Sequence, residues 1–196
     1  HDALPIFDLG LVNVGATCYM NATLQCFSNI DILTDFFLRN KNQLNNPDKY
    51  DLGSEYLKLI LNLWNKKNEK KFYEPHDFKK KIGEKNPLFS GVAANDSKDL
   101  ILFILETLHK ELNRLKDANK NNNINENGFY GQISNQTNEK EEHHKFRMDY
   151  YSINDSIISQ LFYGEQESFY TWHNTSKYIY SFNIFNQLIF PLEKES

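Results

Sequence analysis

The chain reads as an α+β protein with its helices first and its strands last. Two observations carry this reading. Apolar residues recur at helical spacing through Leu57, Ile60, Leu61 and Trp64, and more strongly through Ile101, Ile104, Leu105, Leu108, Leu112 and Leu115. After Asp155 the pattern changes: Tyr178 to Phe185 alternates or runs apolar as a strand does, and Gln187 to Leu192 reads as another strand. Residues 1–117 are therefore expected to be a helical part, 118–150 a polar and mobile insertion, and 151–196 the start of a β region.

The elements follow in order. Leu9 to Thr17 is a glycine-punctuated turn, and Met20, Leu24 and Phe27 then mark a helix that places Cys18 near its first turn. Ile30 to Leu38 continues it or forms a second helix, and Asn40 to Asp51 is a polar linker. Glu74-Pro75-His76-Asp77-Phe78 reads as a helix start, with proline tolerated in the first turn and acids complementing the dipole. Lys85-Asn86-Pro87 ends that helix. Asn95 or Asp96 is suited to cap the long stripe from Ile101 to Leu115. Ala118 to Asp149 has few apolar residues and many charges, the composition of a segment that cannot bury enough surface to order itself. Ser156 to Gly164 reads as a short helix leading into a strand.

With 196 residues, 40% of them hydrophobic, there is material for one sizeable core or most of one. A net charge of -4 argues against general nucleic-acid binding. No apolar run has membrane-spanning length and no signal peptide is read, so no membrane partner is expected. Cys18 and Cys26, eight residues apart on one helix, stand about 12 Å apart, too far for a disulfide. Reduced thiols and an intracellular setting, cytoplasmic or nuclear, are the expectation. His143-His144 lacks a nearby cysteine or a helical i, i+4 partner, and no metal is expected there.

Cys18 is the residue with chemistry to offer. A helix N-terminus exposes unsatisfied N–H groups and roughly half a positive charge, which favours thiolate. Asn13, five residues earlier and across the Gly15 turn, could place a carboxamide N–H where an attacked carbonyl oxygen becomes negative, with the Cys18 amide as a second donor. The plain alternative is a buried small hydrophobe next to a turn asparagine.

The run Gly10-Leu11-Val12-Asn13-Val14-Gly15-Ala16-Thr17-Cys18-Tyr19-Met20-Asn21, continued by Leu24-Gln25, closely resembles the cysteine box of the ubiquitin-specific proteases. The resemblance implies a papain-like thumb, palm and fingers domain. It makes Cys18 the nucleophile and Asn13 the oxyanion-hole residue, with no cofactor, and it implies ubiquitin and ubiquitinated proteins as partners. Ala94-Asn95-Asp96-Ser97-Lys98-Asp99-Leu100, with Leu108-His109 in register, resembles the family's Gln-Gln-Asp-Ala-x-Glu-Phe block; both of its glutamines are replaced, by Ala94 and Asn95, and Asp99 stands for the usual glutamate. By that resemblance Asp96 and Asp99 help hold the basic ubiquitin tail. Ser156-Ile157-Ile158 to Gly164 resembles the start of the family's fingers. The Cys-x-x-Cys knuckle that follows there is absent, and Tyr170-Thr171-Trp172-His173-Asn174 occupies its place, so no zinc is expected and aromatic packing is the candidate substitute.

A cysteine nucleophile needs a base and a residue to orient it. The family's histidine lies in a Gly-His-Tyr-type segment beyond the fingers, and none of the six histidines here has that setting. The chain is accordingly read as roughly the first half of a catalytic domain, completed by its C-terminal part. Two other readings stay open: a non-catalytic ubiquitin-binding module, and a cysteine protease for another ubiquitin-like modifier.

Overall fold

The computed structural model describes residues 9–64, 71–115, 139–171, 173 and 178–190. It is an α+β structure in two compact units, His1–Leu112 and Asn113–Ser196. Among the described residues no helix is long and apolar enough to cross a membrane.

The first unit is helical. After the two-residue strand β1 (Gly10–Leu11) come α1 (Cys18–Ser28), α2 (Asp31–Arg39), the short α3 (Lys41–Leu44), α4 (Asp51–Leu63), strand β2 (Phe72–Tyr73), α5 (His76–Lys85), a 3-10 turn (Pro87–Phe89) and α6 (Ser97–Leu112). The centre is α4, which packs against α2, α3, α5 and α6. Eight of its residues are buried, Leu52, Tyr56, Leu57 and Ile60 among them, so its apolar face is much wider than a surface helix needs. Tyr56 lies edge-on to Phe37 at 4.8 Å and to Phe78 at 6.5 Å between ring centroids. Met20, Leu24 and Phe27 of α1 and Leu100, Ile104, Leu105 and Leu108 of α6 complete this core.

One end of α4 is capped from a distance. Its own N-cap residue, Tyr50, makes no capping bond. Glu111 of α6 takes over: Oε1 accepts from the Leu52 amide at 3.0 Å and Oε2 from the Gly53 amide at 2.8 Å. Lys85 then bridges Glu111 at 3.3 Å and Asp51 at 2.9 Å, and Lys81 meets Asp51 at 2.9 Å. Burial alone raises the Asp51 pKa, but hydrogen bonds from Lys81 and Lys85 outweigh it and hold the carboxyl below its usual range.

The second unit holds α7 (Glu139–Tyr151), α8 (Ile157–Phe162) and an antiparallel hairpin of β3 (Gly164–Thr171) and β4 (Tyr178–Phe185), in register from Gly164 opposite Phe185 to Thr171 opposite Tyr178. Ser156 and Ser159 close a reciprocal capping box at the start of α8. Phe146 of α7 packs with Tyr180 and Phe182 of β4, and the His143 ring lies 5.0 Å from that of Phe182. Glu165 ties α7 to the other strand, β3, with His143 at 2.7 Å and Arg147 at 3.0 Å.

Four expectations change. Residues 139–151, expected within a mobile polar insertion, form α7, because one aromatic face and the Glu165 ion pairs give a charged helix something to dock on; the rest of that insertion, 116–138, lies outside the described residues. The stripe read to Leu115 ends as helix at Leu112, where Asn113 turns the chain by accepting from the Leu115 amide at 3.1 Å. The polar linker contains α3. Residues 187–190 form no strand: Ile189 and Phe190 are exposed and, among the described residues, no third strand pairs with the β3–β4 hairpin, while 191–192 lie outside the described residues. Of the aromatics in place of the knuckle, Tyr170 is exposed and Trp172 lies outside the described residues; among the described residues Phe146, Tyr180 and Phe182 pack together.

Candidate active site

Cys18 opens α1, and the turn before it is closed by side chains. Gly15 and Ala16 both take positive φ, 114° and 45°, the reversal that lets residue 17 come back on residue 13. Asn13 Oδ1 accepts from the Thr17 amide at 2.8 Å and from Thr17 Oγ1 at 3.1 Å. Thr17 Oγ1 in turn accepts from the Val14 amide at 3.0 Å, and Thr17 is wholly buried.

This arrangement has two chemical results. The Thr17 amide is a donor, so the Asn13 atom facing it is the carboxamide oxygen, and the exposed side chain has its Nδ2 hydrogens to offer a ligand. Thr17 stands at the N-cap of α1 yet spends its hydroxyl on the turn and makes no capping bond. The first-turn amides, that of Cys18 included, carry no side-chain cap, and the Cys18 thiol is exposed beside them. An exposed sulfur, an oriented amide donor and an uncapped helix N-terminus are the parts needed to attack a carbonyl and hold the resulting oxyanion.

The strand leading to Asn13 is fixed from both sides. On one, β1 pairs in parallel with β2: Gly10 N–H donates to Lys71 O at 3.1 Å and Val12 N–H to Tyr73 O at 2.9 Å. On the other, α1 reaches over with Asn21 Nδ2, which donates to Leu11 O at 3.2 Å and Val12 O at 3.0 Å, and with Gln25 Nε2, which donates to Leu9 O at 2.9 Å.

Asp96 and Asp99 lie at the head of α6, which packs on α1. Asp96 is the cap, with Oδ1 accepting from the Lys98 amide at 2.8 Å. Asp99 is half exposed, 3.8 Å from Lys98 Nζ. Neither touches Cys18 among the described residues, but the link between the two places is short. Tyr19, next to Cys18 and buried, has its hydroxyl at 3.2 Å from Asn95 Nδ2 and 3.4 Å from Lys79 Nζ, and Asn95 adjoins Asp96.

The structure thus brings Asn13 and Cys18 into one turn and sets the acids on a neighbouring helix. Thr17, Tyr19 and Asn21 were missed as site residues. Their types carried a signal, a threonine directly before a helix and an asparagine in a helix interior, where a short polar side chain is used for a backbone contact or not at all. Among the described residues no hydrogen bond joins a histidine to Cys18. His76 pairs with Glu74 at 3.4 Å, His109 is buried on α6, and His143 is held by Glu165; His1 lies outside the described residues. No group of three or more His, Cys, Asp or Glu among the described residues is placed to hold a metal ion.

The family profile described as ubiquitin carboxyl-terminal hydrolase matches residues 9–184. Ubiquitin carboxyl-terminal hydrolase 4 of Rattus norvegicus is 33% identical over 189 residues, which is 93% of this chain and 19% of that protein. Ubiquitin carboxyl-terminal hydrolase 15 of Xenopus tropicalis is 34% identical over 93% of this chain and 18% of its own length. The human protein of the same name is 33% identical, with the same two coverages. The chain therefore spans less than a fifth of the length of these relatives. The profile match takes in the turn that carries Asn13 and Cys18 and runs into β4 of the hairpin, and on that extent the chain belongs to the ubiquitin carboxyl-terminal hydrolase family, among its ubiquitin-specific proteases.

Proposed function

We propose that the protein is a thiol-dependent deubiquitinase that hydrolyses the isopeptide or peptide bond after the C-terminal glycine of ubiquitin. The observation that carries this reading is the closed turn from Asn13 to Cys18, with the carboxamide oxygen tied down, its N–H groups available and the thiol exposed at an uncapped helix start.

In the reaction a histidine acting as base takes the Cys18 thiol proton, Sγ attacks the glycine carbonyl carbon and the C=O electron pair moves onto oxygen. Asn13 Nδ2 and the Cys18 amide donate to that oxyanion. Its collapse breaks the C–N bond; the amine leaves with a proton from the general acid, and ubiquitin remains as a thioester on Cys18. Water, deprotonated by the same group acting as base, then releases the ubiquitin carboxylate and the thiolate. That histidine and the Asp or Asn that orients it come from the C-terminal part of the catalytic domain. Asp96 and Asp99 complement the positive charge of the ubiquitin tail.

The test is intact mass of the full-length protein after incubation with ubiquitin bearing a C-terminal electrophile, beside turnover of a fluorogenic ubiquitin amide. One adduct is expected, absent from Cys18→Ala. Asn13→Ala lowers turnover by about 10²- to 10³-fold, the cost of one oxyanion donor. Turnover unchanged in Asn13→Ala removes Asn13 from the mechanism. Ubiquitin bound without adduct or turnover replaces the enzyme with a binding module, and reaction only with another modifier's tail replaces the substrate.

A further inference from the structure

Asn21 holds both ends of the turn that precedes Cys18. Its backbone N–H donates to Thr17 O at 2.8 Å, the first hydrogen bond of α1, and its Nδ2 donates to Leu11 O and Val12 O at 3.2 and 3.0 Å. Residues 13 to 17 lie between these two attachments. The residue immediately before Asn13 is thus fixed to the helix that presents Cys18, through one side chain.

The orientation of that side chain comes at its own expense. Both groups facing Nδ2 are carbonyl oxygens, so the amide cannot be reversed. Oδ1 is then left buried with no hydrogen-bond partner among the described residues. Buried polar atoms are nearly always paired, and rotating this amide to find a donor would release Leu11 O and Val12 O.

We infer that Asn21 is a positioning residue of the oxyanion hole, fixing the Leu11 and Val12 carbonyls so that the Asn13 carboxamide stands at a set distance from Cys18. This rests on the reading of Asn13 as an oxyanion donor. Asn21 touches neither the thiol nor the substrate; it acts on the reaction through Asn13. Because small displacements at a reacting centre are costly, Asn21→Ala is expected to lower kcat by about 10- to 100-fold. KM should stay within about twofold, since an oxyanion donor engages the transition state and not the ground state.

The experiment is a double-mutant cycle in the full-length protein: wild type, Asn13→Ala, Asn21→Ala and the pair, each read as kcat and KM on the fluorogenic ubiquitin amide and as a thermal melt. The expected result is a kcat loss for Asn21→Ala in the wild-type background and less than about twofold further loss in the Asn13→Ala background, because neighbours acting through one group are not additive. Equal losses in both backgrounds, a loss confined to KM, or no loss overturns the inference while leaving Asn13 in place. An Asn13→Ala enzyme with wild-type turnover overturns the reading beneath it, and the inference falls with it. Where Asn21→Ala does not melt cooperatively, the same cycle is read on Asn21→Ser, which keeps one donor and is held to the same two outcomes.

Discussion

Removal of the Glu111 carboxylate tests the claim that α4 is capped from α6. Glu111→Ala deletes two charge-assisted bonds to the first-turn amides of α4, at 3.0 and 2.8 Å, and leaves Lys85 with Asp51 alone. Loss of an N-cap costs about 0.5–2 kcal/mol, and hydrogen bonds to charged groups are worth about 1.5–3 kcal/mol each. The Leu52 and Gly53 amides start buried residues and are poorly placed to recover water, so the cost to α4 is about 2–4 kcal/mol. Read as amide hydrogen exchange on peptides covering residues 51–57 of the full-length protein, that is about 30- to 1,000-fold less protection, since each 1.4 kcal/mol is tenfold. Peptides from α7 report no change. A loss of protection below about threefold in α4 would refute the argument, because α4 would then hold its N-terminus by packing alone.

Other outcomes follow from single features. Tyr56→Phe should raise stability by about 1 kcal/mol in urea unfolding, because the ring contacts stay while a buried hydroxyl with no hydrogen-bond partner among the described residues is removed; a destabilised variant would mean that the hydroxyl is bonded after all. Gly83→Ala should lower stability by about 1–3 kcal/mol, since its Cβ would stand 2.9 Å from Ser90 Cα, backbone that the 3-10 turn fixes; a neutral result would show that this turn yields freely. Asp155 is held below the ordinary carboxyl range by the Arg114 hydrogen bond; burial opposes the shift and Gln160 adds to it. A lowered folded value means stability present above the unfolded value and lost as pH falls through the folded one. The gap between wild type and Arg114→Ala, below about 1 kcal/mol for so exposed a pair, should be open at pH 6 and close as pH falls below about 4; a gap that ignores pH refutes the pairing.

The long helices were legible because each buries one face. The stripes of α4 and α6 show at 3.6-residue spacing, and Cys18 fell where the apolar pattern of α1 begins. Elements too short to carry a period were not legible: β1 and β2 have two residues each and α3 has four. Helix α7 was misread because its stabilising face is one phenylalanine and two side chains aimed at Glu165, which composition averages into a polar stretch. The strand read over 187–192 shows the reverse error at 187–190, an apolar run with no strand to pair with among the described residues. Residue types at Asn13 and Cys18 pointed to the candidate site. What they did not reveal was the use of Thr17, whose hydroxyl closes the turn where threonine at that place more often caps the helix.

The bonds that shape the Cys18 turn are short in sequence. Thr17 and Asn13 are four residues apart, and Asn21 reaches Val12 across nine. Loops of about ten residues close in about 10–100 ns, far faster than contacts that wait on distant segments. On a chain growing from its N-terminus, this turn has all its own partners before β2 or α6 exists to pair with it, whereas the acidic edge at Asp96 and Asp99 is added only when α6 emerges. The proposed nucleophile and its neighbouring amide donor are accordingly assembled first and the acidic edge last, and a chain interrupted between them carries the Cys18 turn without the acids proposed to complement the ubiquitin tail.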